Sequence, residues 1–151
     1  MKKLIVLLLS FSCLLAFAAC GANNGETHGA ESWAKDWGIT FTAKNISSTG
    51  LTLVCIQSGG IAEGSLETGS AYWIEKHENG AWIEVKPQTE AIWDMMSHLI
   101  PSEESIEWTI DWSYLYGTLG AGQYRICKTV TDFKESGGSE SQNYWAEFEI
   151  K

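Results

Sequence analysis

The chain has 151 residues, a length that allows one domain of ordinary size. Acidic side chains outnumber basic ones by 19 to 10, which gives a formal net charge of −9 at pH 7. Nucleic acid and anionic lipid repel a chain of this charge, so neither is an expected partner.

The first 19 residues have the pattern of an export signal. Lys2 and Lys3 precede an apolar run from Leu4 to about Ala19, and small residues end the run. The run is shorter than the ~20 residues that span a bilayer, which disfavours a permanent transmembrane helix. A buried core helix is also disfavoured, because no amphipathic or capping pattern follows. We therefore predict a signal peptide over 1–19.

Two cleavage sites are compatible with this signal. Ala16-Phe17-Ala18 fits an A-x-A site, which would release a soluble secreted protein. Phe17-Ala18-Ala19-Cys20 resembles the lipobox of bacterial lipoproteins, although Phe17 stands where that family usually has Leu. The resemblance implies cleavage before the cysteine and acyl chains, such as palmitate, on Cys20. We expect this lipidation, because it explains a cysteine placed directly before a polar linker.

Lipidation at Cys20 would anchor the chain to the extracytoplasmic face of the cell membrane. One acyl chain holds a protein only marginally, whereas the several chains of a lipoprotein cysteine give stable attachment. Residues 20–35 are rich in Gly, Asn and Ser and lack a periodic apolar pattern, which predicts a flexible linker. The mature chain would carry 8 basic and 19 acidic side chains, a net charge of −11.

Residues 36–151 are predicted to be all-β, because apolar and polar residues alternate in short segments. The predicted strands cover 37–43, 51–57, 71–76, 81–85, 106–112, 124–130 and 144–150. Asn79-Gly80 predicts a tight hairpin turn between the third and fourth of these strands. The Gly-rich residues 58–69 are predicted to form a loop, whereas 86–101, with a proline near each end, shows no readable pattern.

About seven antiparallel strands with Gly-rich turns favour a two-sheet, immunoglobulin-like β-sandwich. An eight-stranded barrel is the alternative, and it needs one further strand from 86–101. Trp37, Trp108 and Trp112 lie on the predicted inward rows and are expected in the core.

The sequence contains no motif that names a reaction. His28, His77 and His98 lack metal-ligand spacing, and neither a nucleophile elbow nor a phosphate-binding loop with its lysine is present. A glycosidase-like pair of carboxylates is disfavoured in a short chain whose acids fall on outward strand positions. We therefore expect a protein that is not an enzyme and needs no cofactor or metal.

Cys55 and Cys127 leave two alternatives open. Their placement on the second and sixth predicted strands of an exported domain resembles the inter-sheet disulfide of immunoglobulin domains. Their parity argues for packed free thiols, since Cys55 shares the face of Leu53 while Cys127 lies opposite the face of Ile126.

Trp73, Trp82 and Trp145 are the predicted ligand-binding residues. Each has outward parity on its own strand, and each lies within two residues of a glutamate. An exposed indole beside a carboxylate can stack on a sugar ring or attract a cation. The alternative is cross-strand packing that steadies a hairpin.

Three stretches resemble a known family: GLTLVCIQSGG, YWIEKHENGAWIEV and IEWTIDWSYLYGTLGAGQYRICK. They are similar to a bacterial immunoglobulin-like domain at the C-terminus of small Gram-positive lipoproteins, over about Phe41 to Ile150. Residues 119–124 resemble the tyrosine corner of sandwich domains, in which a Tyr hydroxyl bonds to nearby backbone. The resemblance implies a sandwich at the cell envelope and no catalytic residues.

Two functions follow as hypotheses. The first is a binding or interaction module that contacts an envelope glycan or a protein partner. The alternative is an exported proteinase inhibitor that presents the loop at 58–69 or at 134–142 to a protease.

Overall fold

The alternating pattern folds into nine strands and one helical turn in a computed structural model, which describes residues 35–151. The strands are β1 (Ile39–Lys44), β2 (Gly50–Gln57), β3 (Ser65–Gly69), β4 (Trp73–Glu78), β5 (Ala81–Glu84), β6 (Ser97–Leu99), β7 (Ser105–Asp111), β8 (Gly122–Phe133) and β9 (Ser139–Ile150). The turn α1 (Ser113–Tyr116) connects β7 to β8. The predicted signal peptide, Cys20 and nearly all of the predicted linker lie outside the described residues.

Two antiparallel sheets form a sandwich, as the sequence predicts. The smaller sheet has the strand order β1-β2-β7. In the larger sheet, β8 pairs with β9 along its whole length, while β4 and β3 pair with successive parts of its other edge. β5 extends the sheet beyond β4, and β6 extends it beyond β3. The barrel alternative is therefore wrong.

The inward rows of the two sheets form the core. β2 supplies Leu51, Leu53 and Cys55, and β8 supplies Ile126 and Val130. Burial of this apolar surface contributes about 25 cal/mol per Å² removed from water, which makes it the main stabilising term.

Two of the three tryptophans expected in the core are fully buried. Trp37 and Trp112 have no exposed surface, and the Trp112 indole donates to the Ser48 carbonyl oxygen at 3.0 Å. Trp108 faces inward too, but it is only partly buried because β7 is an edge strand of the smaller sheet.

The sequence predicts seven strands, and two of the nine observed strands lie where it predicts none. Ser65–Gly69 is β3, so the predicted loop over 58–69 is wrong for its second half. Leu66 and Thr68 point inward there, but a five-residue strand with polar ends gives little periodic signal. The other additional strand, β6, lies within 86–101 and has three residues.

The remaining loop at 58–64 is held against the sandwich rather than projecting from it. The Asp132 carboxylate accepts hydrogen bonds from the backbone N–H groups of Glu63 and Gly64, each at 2.8 Å. A Cβ atom at residue 64 would lie 1.9 Å from the Phe133 carbonyl oxygen, so only glycine allows this approach.

Two local predictions are confirmed. Asn79 and Gly80 have φ angles of 52° and 82°, as a tight turn between β4 and β5 requires. The Tyr124 hydroxyl donates to the Gly120 carbonyl oxygen at 3.0 Å, which is the tyrosine corner that the resemblance implies.

Cys55 and Cys127 are free thiols, so the disulfide alternative is wrong. Cys55 is in the core on the inward face of the smaller sheet, whereas Cys127 lies on the outward face of the larger one. Burial raises the pKa of each thiol to about 12, which keeps both protonated at neutral pH.

Candidate functional site: a tryptophan face on the larger sheet

The outward face of the larger sheet carries all three predicted ligand-binding tryptophans. Strand pairing sets two adjacent rows of side chains across it: Glu84, Glu75, Arg125 and Glu147 in one row, and Trp73, Cys127 and Trp145 in the next. Trp82 lies opposite His77 on the other side of the first row. We call Trp73, Trp82 and Trp145, with Glu75 and Arg125 between them, the tryptophan face.

Two of the indoles enclose a guanidinium group. The central carbon of the Arg125 guanidinium lies 4.8 Å from the ring centroid of Trp82 and 5.0 Å from that of Trp145. Both contacts are within the range of a cation–π interaction. The rings remain partly exposed, while Arg125 beneath them is buried.

Arg125 is neutralised by a buried carboxylate. Its Nε atom donates to the Glu75 carboxylate at 2.5 Å, and a second guanidinium nitrogen contacts the same oxygen. The other Glu75 oxygen accepts a hydrogen bond from the Trp73 indole at 3.0 Å. Since Glu75 is 3% exposed and Arg125 8% exposed, this pair forms a rigid base under the three rings.

A shallow groove of about 270 Å³ runs beside Trp82. Gln123, Glu147 and Glu149 line it, so an indole, an amide and two exposed carboxylates face the same space. The groove thus combines a flat apolar surface with hydrogen-bond acceptors and with the donors of one amide.

Arg125 and Glu75 are the parts of the site that sequence reasoning missed. Arg125 has the same parity as Cys127, and the sequence places Cys127 opposite the inward row. The outward direction of Arg125 could therefore be predicted from the sequence. Its position between two rings could not be predicted, because Trp82 and Trp145 belong to strands that are far apart in the chain.

We find neither a metal-binding cluster nor a membrane-spanning helix among the described residues. Residues 35–151 contain no cluster of three His, Cys, Asp or Glu side chains suited to a metal ion. Within the same range, no helix is long and apolar enough to cross a membrane.

The comparison with known proteins agrees with this architecture. The bacterial Ig-like domain family matches residues 35–149, which is most of the chain and nearly all of the described part. No curated protein and no solved structure matches the chain. With two antiparallel sheets, a tyrosine corner and this match, the chain belongs to the family of bacterial Ig-like domains.

Proposed function

We propose that this protein is a lipid-anchored, non-catalytic binding module at the cell envelope, and that its tryptophan face binds a neutral glycan. Membership of the bacterial Ig-like family supports an extracytoplasmic binding or interaction module. The observation that carries the choice of ligand is the pair of partly exposed indoles held on a buried ion pair beside a polar groove.

Arg125, which lies between Trp82 and Trp145, favours a neutral ligand over a cation. Arg125 already supplies the positive charge that Trp82 and Trp145 attract. The guanidinium therefore occupies the position over each ring that a cationic ligand would take. A sugar does not need that position, because it packs its C–H groups on the exposed part of an indole.

The groove supplies what a sugar ring needs. The apolar C–H face of a pyranose would pack on the exposed part of Trp82. Its hydroxyl groups would donate to the carboxylates of Glu147 and Glu149 and accept from the Gln123 amide. The rigid base keeps the rings ordered before binding, which lowers the entropic cost of association.

Membrane attachment through Cys20 would place this face where envelope glycans are available. The linker of residues 20–35 has a root-mean-square length of about 20 Å if it behaves as a flexible coil, at 5–6 Å times the square root of the residue number. The domain would then reach polymers close to the outer surface of the bilayer.

The inhibitor alternative has less support from the fold. Residues 65–69 and 139–142 belong to strands, so both candidate loops are shorter than the sequence predicts. The first is also tied to Asp132 by two hydrogen bonds, which leaves little free chain to enter a protease cleft.

Screening the full-length protein against immobilised envelope polysaccharides tests the proposed ligand class. We expect binding to at least one neutral polysaccharide and displacement by its free oligosaccharide. Polylysine on the same surface is the comparison for a cationic ligand. Binding to polylysine alone, or inhibition of a protease panel without any glycan binding, would refute the proposed function.

A further inference from the structure

A second feature of the domain lies on the opposite, inward side of β8. Lys128 occupies an inward position of this strand and is only 4% exposed. Its Nζ atom donates to the carbonyl oxygens of Gly69 at 2.6 Å and Ala71 at 3.1 Å. An ammonium group has three N–H donors, so one remains for a further acceptor.

No carboxylate balances this charge. None of the ion pairs formed within residues 35–151 includes Lys128, although acidic side chains are abundant there. Burying an ammonium group without a counter-ion is costly. Desolvation accordingly lowers the pKa of Lys128 to about 8. An anion beside Nζ would remove much of this cost.

The Lys128 side chain lines a cleft of about 230 Å³. The other lining residues come from β6, from β7 and from the end of β3 with its connection to β4. Tyr72, His98 and Trp108 form aromatic walls, and Nζ lies 5.8 Å from the centroid of the Trp108 ring. A positive charge at the base of an aromatic cleft suits an anion that also has an apolar part.

The negative charges near the cleft and the volume of the cleft limit which anions can bind there. Asp111 also lines the cleft, and hydrogen bonds from Ser113 lower its pKa and keep it ionised. Asp94 is close by, bonded to the Ser70 hydroxyl at the rim. These two carboxylates repel any anion, and they repel a dianion such as phosphate about twice as strongly as a monocarboxylate. At about 230 Å³ the cleft is smaller than the ~300–1,000 Å³ of most ligand pockets, so we expect a small ligand.

We propose that this cleft is a second ligand site, independent of the tryptophan face, and that it binds a small aromatic or aliphatic monocarboxylate. The carboxylate accepts a hydrogen bond from Nζ of Lys128. The apolar body of the ligand packs against Trp108.

Titration of the full-length protein in detergent with benzoate, followed by ¹H–¹⁵N NMR, tests this proposal. We expect saturable shifts of the Gly69 amide and of the Trp108 indole N–H. Benzamide, which has the same shape without the charge, should cause at least tenfold smaller shifts at equal concentration. Phenyl phosphate should also bind more weakly than benzoate because of its second negative charge.

Lys128→Met removes the charge at nearly constant length and should abolish the response to benzoate. Lys76→Met is the matched control, since Lys76 is partly exposed, pairs with Glu78 and lies outside the cleft; it should respond as the wild type does. If Lys128→Met does not fold, Trp108→Leu takes its place and should weaken benzoate binding several-fold. The proposal is overturned if wild-type shifts do not saturate, if benzamide acts equally, or if the folded cleft variant responds like the wild type.

Discussion

At the scale of single residues, two inward side chains of β8 have distinct roles: Tyr124 stabilises the fold and Lys128 forms a candidate ligand site. Tyr124 is 3% exposed and ties the start of β8 to Gly120 through its hydroxyl. Lys128, four residues later on the same strand, places a charge where aliphatic residues would be expected. The motif around Tyr124 predicts its role. The inward parity of Lys128 does not predict which carbonyl oxygens accept its hydrogen bonds.

Tyr124→Phe should lower the free energy of unfolding by about 1 kcal/mol, the usual net contribution of one hydrogen bond. Tyr124→Ala should cost several times more, because it also leaves a cavity beside the stacked ring of Phe148. Urea titration of the three proteins measures both differences. Equal stability of all three would show that the corner contributes nothing.

The titration of Lys128 should make the free energy of unfolding depend on pH between about pH 8 and pH 10.5. Its folded pKa of about 8 lies below the unfolded value of about 10.5, so its charge destabilises the fold fully below pH 8. The penalty declines between these values, as the folded protein loses the proton first. From pH 7.5 to 9.5, the wild type should therefore gain about 2 kcal/mol relative to Lys128→Met.

Urea unfolding of both proteins across this pH range checks the difference. The other ionisable side chains of the cleft are the same in both proteins, so the difference between the two proteins reports Lys128. A constant difference between the two proteins from pH 7.5 to 9.5 would mean that Lys128 keeps an ordinary pKa.

At the scale of elements, β8 joins the two candidate sites because its alternate residues face opposite sides. The sequence predicts this strand and the parity of most of its residues, since Ile126 and Val130 mark the inward row clearly. It underestimates the length of β8, which runs from Gly122 to Phe133, because Asp132 is polar yet fully buried. The hydrogen bonds that Asp132 accepts from the 58–64 loop explain its burial. No local sequence pattern predicts these hydrogen bonds.

The ion pair of Glu75 and Arg125 should behave as a buried pair. Arg125→Met should cost about 3–5 kcal/mol, because it leaves the Glu75 carboxylate buried without a counter-ion. The double variant with Glu75→Met should cost clearly less than the sum of the single changes. A double-mutant cycle by urea unfolding measures this coupling.

The exposed pair of Lys44 and Glu107 is the matched control for this cycle. Both side chains are nearly half exposed, and the same Met substitutions there should give a coupling below about 1 kcal/mol. Similar coupling in both pairs would show that the base of the tryptophan face gains nothing from burial.

At the scale of the whole molecule, the sequence predicts the sandwich but not its detailed topology. Period-two alternation and the Asn79-Gly80 turn suffice for the fold class. The sequence does not predict the short strands β3 and β6, because three to five residues are too few to show a period-two pattern. The outward tryptophans were readable from parity, whereas the convergence of Trp82 and Trp145 on Arg125 depends on strand order, which parity does not specify.

Cys20→Ala tests the predicted membrane attachment. The wild type should incorporate labelled palmitate and remain in the membrane fraction, because a thiol is needed to carry the thioether-linked lipid. The variant should incorporate none and should appear as uncleaved precursor or released protein. Cys127→Ala, which changes a buried thiol in the domain, is the control and should label normally. A wild-type protein that takes up no palmitate and begins at residue 19 would rule out the anchor.

The most direct test of the central claim is the affinity of the Trp82→Leu/Trp145→Leu variant for the neutral glycan that the wild type binds. Leucine keeps an apolar cover over Arg125 but removes the flat rings, so binding should weaken at least tenfold while the protein stays folded. Trp93→Leu, which changes a partly buried indole packed on Tyr72, should leave the affinity within twofold of the wild type. Unchanged affinity in the folded double variant would contradict the claim that the tryptophan face is the binding site.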